Sequence, residues 1–145
     1  MTTTKAKDVA EYIIWLDSQN DSDGISPLKI QKLVYYAQGF FLAVFNKPLF
    51  TDSIEAWRHG PVVPTLWQEY KDYGKNPILL HSGYNSNLPS EETDLIDEVF
   101  NIFGLYSAWG LRNMTHEEQP WIDHNEDGGI IPQEELKVYF ATRLN

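Results

Sequence analysis

Ser26-Pro27-Leu28-Lys29-Ile30-Gln31-Lys32-Leu33-Val34-Tyr35-Tyr36-Ala37-Gln38-Gly39 decides the architecture. Ser26 suits the position just before a helix, where its oxygen takes an orphan amide hydrogen. Pro27 suits the first helical position, where no donor is needed. Ile30, Leu33, Val34, Ala37, Phe41 and Val44 recur at helical spacing and form one apolar stripe. Leu28, Tyr35 and Leu42 cover a second side, and Gly39 with Ala43 leaves a shallow strip for close approach. A helix apolar on most sides belongs in the middle of a fold. Its polar exceptions, Lys29, Gln31, Lys32 and Gln38, need partners or a route to solvent.

Outward from this rod, the pattern predicts a mainly α (α+β) protein. It reads as one compact helical domain, residues 1–145, around a central helix at about 27–45 with a small antiparallel hairpin at about 48–59. A first helix is expected over Ala6 to Ser18. The hairpin turn is expected at Asp52, with Glu55, Trp57 and His59 on one strand face and Gly60-Pro61 ending the strand. Further helices are expected from about Thr65 to Tyr73, from a cap at Ser90 through Phe103 with Gly104 as a left-handed stop, from a cap at Ser107 to about Thr115, and from about Pro132 onward. Ile78 to Leu80 reads as a short strand.

Composition narrows the function. The formal charge is −10, from 21 acidic and 11 basic residues, and the basic residues are scattered along the chain. Such a balance repels nucleic acid unless the cations gather on one face, so no nucleic-acid partner is expected. Cysteine is absent, which removes disulfides and thiolate chemistry and fits a reducing, cytoplasmic setting. No apolar run follows the start, and none approaches the ~20 residues of a membrane span.

Three constellations carry chemistry. Asp123, Asn125, Asp127, Gly128 and Glu134 follow the calcium-loop spacing, although Pro120 and Glu135 sit badly in its flanks. His59, His116 and Glu55 are the residues a metal-assisted hydrolase would use, without the compact spacing of a known zinc motif. Trp57, Trp67, Trp109 and Trp121 are either core anchors or a recognition surface, and the area each ring buries favours the core. No nucleophile elbow or phosphate loop is present, so neither a catalytic centre nor a cofactor or bound metal is expected.

Three separated segments resemble one known family. They are Leu28 to Gly39; Pro48-Leu49-Phe50 with Ile54 to Pro64; and Thr115-His116 with Pro120-Trp121, closed by Ile131 to Phe140. Together they resemble the Panacea domain family, which includes SocA-like antitoxins and many phage-associated proteins, over roughly Ala6 to Phe140. The resemblance implies a helical binding protein that neutralises a toxin by direct contact, one branch acting as an adaptor to a protease. It names neither the toxin nor the contact face. The residues place that face where Lys29, Lys32 and Tyr36 of the central helix meet Glu55, Trp57 and His59, with His116 and Trp121 beside them. The competing reading of the same residues is a structural hydrogen-bond network that fixes the hairpin against the helix.

Overall fold

A computed structural model describes residues 2–144. Its axis is α2 (Pro27–Phe45), whose N-cap Ser26 accepts from the Lys29 amide. Asn46, in the left-handed conformation (φ 57°), ends it. Packed around α2 are α1 (Ala6–Ser18), α4 (Ser90–Phe103), α5 (Ala108–Thr115) and α7 (Gln133–Ala141). Between α2 and α4 the chain forms β1 (Glu55–Trp57), β2 (Gly60–Val62), α3 (Pro64–Tyr70) and a 3-10 turn over Lys71–Tyr73. A short α6 (Gln119–Ile122), not expected from the sequence, follows α5, with Pro120 in its first turn. No helix among the described residues is long and apolar enough to cross a membrane.

The rod is as central as its apolar coverage requires. Ile30, Leu33, Val34, Tyr35, Tyr36 and Ala37 are all fully enclosed. Val44, at the far end of the stripe, is the exception and is half exposed. Gly39 faces α7: a Cβ there would collide with the Phe140 ring. That ring stands edge-on to Tyr35 and Tyr36, and Tyr36 stacks flat on Phe103 at 4.1 Å.

The hairpin lies further along than its expected 48–59. Glu55 pairs with Val62 and Trp57 with Gly60, so the turn is Arg58-His59 rather than Asp52, and Gly60-Pro61 lies within the second strand instead of ending it. Gly60 makes this possible with φ +112°, and a Cβ there would sit 2.6 Å from Lys32 Cε. Pro48-Leu49-Phe50 is extended but pairs with no strand. The side chain of Gln38 takes that place: its Oε1 accepts from the Leu49 amide at 2.8 Å, and its Nε2 donates to the Phe50 carbonyl at 2.7 Å. Gln31, two turns earlier, does the same at Val63, accepting from its amide at 2.8 Å and donating to its carbonyl at 3.2 Å. The other edge of β1 is covered by the loop before α7. Ala56 N donates to Gly129 O, Ile131 N donates to Ile54 O, and Glu55 bridges Ile130.

Three smaller expectations are also corrected. Ile78 to Leu80 forms no strand, because Ile78 hydrogen-bonds a single carbonyl, that of Ile25. Gly104 is right-handed (φ −63°) rather than left-handed, and it is glycine for room: a Cβ would crowd the Phe100 carbonyl and ring. Ser90 is the first helical residue of α4, with Pro89 at the cap.

Two ionisable groups are buried beside the rod. Glu118, just before α6, accepts from Tyr35 at 2.8 Å, from Tyr36 at 2.7 Å and from Arg143 at 3.2 Å. Burial holds its carboxyl above the ordinary glutamate value, and these three donors offset only part of that rise. Lys32 is fully enclosed, and its Nζ donates to the Pro61 carbonyl at 3.2 Å. Burial, with the Arg112 charge nearby, pushes its ammonium down to about 7.

Two outcomes follow from this packing. Gly39→Ala will destabilise the fold by about 1–3 kcal/mol through overpacking, against the roughly 0.8–1.0 kcal/mol that alanine gains as a helix former. Denaturant titration will read the loss, and adding Phe140→Leu will recover part of it. The unfolded chain binds the Lys32 proton up to the ordinary lysine value of 10.5, the folded chain only up to about 7. Between these values the unfolded state holds more protons, so stability rises with pH, by at most about 1.4 kcal/mol per unit. Lys32→Met removes this contribution. Melting curves across that window will therefore show wild type gaining on the variant as pH rises.

Candidate functional site

The hairpin tip, α3, α5 and α6 bring together residues from four separate stretches. Trp57 donates its indole hydrogen to Glu55 Oε1 at 2.8 Å, which holds the ring on the open side of β1. Trp67 of α3 meets Trp57 edge-on, with ring centres 5.7 Å apart, and Lys71 lies over the Trp67 ring at 4.9 Å. Across the tip, Arg112 of α5 stacks on Trp109 at 4.4 Å and donates from Nε to His59 Nδ1 at 3.2 Å. Trp121 of α6 donates to the Trp57 carbonyl at 2.7 Å and packs against the His116 ring, centres 3.9 Å apart. The His116 ring is clamped between two carbonyls, those of Arg112 (2.7 Å) and Arg58 (2.8 Å).

Local sequence explains much of this placement. Ser107 caps α5 by accepting from Gly110 N, which sets the phase of Trp109 and Arg112 on one helix face. Trp67 and Lys71 are four residues apart, the spacing that stacks a helical pair. Glu118 fixes the start of α6 and with it the direction of Trp121.

The face is partly exposed, aromatic and locally cationic. None of the four tryptophans belongs to the buried core, which corrects the expectation of core anchors: Trp67 is 40 % and Trp109 55 % exposed. Each has a cation, an imidazole or another indole against its ring, and Trp121, half-buried, also packs against the edge of the core. Arg58, Lys71 and Arg112 take part in no ion pair among the described residues. His59 is lowered by desolvation and by the charges of Arg112 and Arg58. Leu105, 86 % exposed, and Tyr106 extend the apolar surface beside Trp109.

Of the eight residues expected at a contact face, five converge here: Glu55, Trp57, His59, His116 and Trp121. Lys32 lies directly beneath them, enclosed under Pro61. Tyr36 is interior and serves Glu118, and Lys29 diverges to the end of α4, donating to Gly104 O at 2.8 Å. Those three act as internal ties, and the enclosed Lys32 and Tyr36 cannot touch a partner. Sequence reading missed Arg58, Lys71, Arg112 and Glu118. The Trp109–Arg112 and Trp67–Lys71 spacings were the available signal for two of the four; Arg58 and Glu118 had none.

The metal readings find their residues engaged elsewhere. Both His116 nitrogens face main-chain carbonyls, His59 Nδ1 receives Arg112, and Glu55 receives Trp57. In the acidic loop, Asn125 donates to Ile122 O, and Asp127 accepts from Gly129 N across a Gly128 turn (φ +69°). Its composition serves to bring Gly129 to Ile131 alongside β1. Among the described residues no three His, Cys, Asp or Glu side chains are grouped to hold a metal.

Comparison with known proteins gives the family. Residues 30–122 match the family described as Antitoxin SocA-like, Panacea domain. Over 109 residues the chain is 40 % identical to Antitoxin SocA of Caulobacter vibrioides, a match covering 67 % of this chain and 58 % of that protein. The chain thus spans less than two thirds of the length of that curated relative. No solved structure matches it. The matched segment runs from Ile30, in the first turn of α2, to Ile122 at the end of α6, and so contains every residue of the tryptophan face. The chain belongs to the SocA-like antitoxin family defined by the Panacea domain.

Proposed function

We propose that this chain is an antitoxin that neutralises a protein toxin by covering it with the tryptophan–arginine face around the hairpin tip. The observation that carries the reading is Trp109, more than half exposed, with the Arg112 guanidinium stacked on it and in no ion pair among the described residues. Trp and Arg are among the residue types that dominate binding energy at protein interfaces. Here they stand on short, internally tied elements. The ties beneath, Lys32 to Pro61 and Glu118 to Tyr35 and Tyr36, hold the face in one arrangement before a partner arrives. A preorganised surface loses less ordering entropy on binding. The family description and the name of the Caulobacter relative support the antitoxin reading.

Co-expression with the products of neighbouring genes tests it. One product is expected to arrest growth alone, to be harmless beside this chain, and to co-purify with it. Trp109→Ala combined with Arg112→Ala should weaken that complex by about 100-fold or more, since each hot-spot truncation costs about 2 kcal/mol or more. The melting temperature should stay close to wild type, because both side chains lie at the surface. Rescue and co-purification that survive the double change would remove the face from the proposal. Toxin half-life separates covering from delivery to a protease: covering leaves it unchanged, delivery shortens it.

A further inference from the structure

The hairpin tip borders a cleft of about 250 Å³ on the side facing α3 and the start of α2. Its walls are apolar: Leu28, Val62, Trp57 and Trp67. Arg58 and Lys71 stand at its rim, exposed and outside any ion pair among the described residues, and Lys32 underlies it. No Asp or Glu among the described residues lines it, in a chain with 21 of them and a net charge of −10. The volume falls below the roughly 300–1,000 Å³ typical of small-molecule sites, and suits inserted side chains better than a cofactor. On the far side of the tip lies a wider depression, reached by Arg58 and Arg112 but also containing Asp127. The all-cationic rim is therefore specific to the α3 side.

We infer that this cleft is an anchor pocket for an acidic segment of a protein partner, which inserts one large apolar side chain between Trp57 and Trp67 while flanking carboxylates meet Arg58 and Lys71. The inference rests on the reading of this face as the toxin-binding surface, and names the chemistry the toxin presents to it. Both halves of the recognition are needed. The indole walls supply area but little register, and the rim cations supply direction and discrimination. A basic segment would meet like charge at the rim. Steering also follows: an acidic segment finds a cationic entrance on a largely repelling surface.

The purified chain and three short synthetic peptides test this without a toxin in hand. One is Asp-Glu-Asp-Phe-Asp-Glu, one replaces its acids with Lys, and one replaces its Phe with Ser. The acidic Phe peptide is expected to perturb tryptophan emission and to bind at least about tenfold more tightly than either control. Added salt should weaken it, and the paired change Arg58→Glu with Lys71→Glu should abolish it. Trp57→Phe with Trp67→Phe should remove the optical response while calorimetry still detects binding. Equal binding of the three peptides, binding of none, or tighter binding of an unstructured oligothymidylate would each overturn the anchor pocket. None of these results would alter whether a neighbouring toxin is neutralised, so the two readings fail separately.

Discussion

Gln31 and Gln38, two turns apart on α2, each complete a main-chain hydrogen-bond pair that the surrounding segment cannot complete itself. The need arises from the central helix. Segments packed directly on a buried rod lose water from their own amides and carbonyls, and an unmade bond there costs about 1–3 kcal/mol. A sheet would normally satisfy them, but the one in this fold has two short strands. The primary amide has donor and acceptor side by side, and so imitates a neighbouring strand for one residue. Gln38 holds the stretch leading to the hairpin and Gln31 the stretch leaving it. The hairpin between them is thereby carried at a set height above α2.

Glu118 and Lys32 extend the same logic to charge. Glu118 joins two tyrosines of α2 to Arg143 beyond α7, so the start of α6 and the residues after α7 are tied to the rod at one carboxylate. Lys32 has no carboxylate partner among the described residues, and burial moves it toward the neutral amine, which donates to the Pro61 carbonyl under the hairpin. Gly60 leaves the space that the lysine stem fills, and Thr115 Oγ1 would also lie within 2.8 Å of any Cβ there. The crowding is specific to one turn residue and one lysine. It explains why the turn falls at Arg58-His59 and places those two side chains outward.

Helix limits were legible because their signals are local. Ser26-Pro27, Asn46 and Ser107 act through bonds to residues a few positions away, and α1, α2 and α5 begin and end as read. The hairpin was not legible, because its register depends on Gln31, Gln38 and Lys32, which are remote in sequence. A Gly-Pro pair reads as a break by local rules, and becomes strand only when a lysine amine supports the proline carbonyl. The site was legible in part for the same reason. Its aromatics and histidines stood out by type, whereas Glu118 looks like any acidic residue near a helix start until Tyr35 and Tyr36 are seen to point at it.

Net charge misleads about this surface in an instructive way. Cations scattered in sequence argued against a basic face, yet Arg58, Lys71 and Arg112 converge around one hairpin. Two of the three are stacked on indoles, which keeps them in place without neutralising them. An ion pair with one of the many carboxylates would have fixed them equally well, but would have cancelled the charge within the chain. The acidic bulk and a cationic face with no ion pair among the described residues therefore act together. The first repels acidic molecules from most of the surface. The second leaves them an approach, lined by rings whose flat faces give contact area with little loss of side-chain freedom.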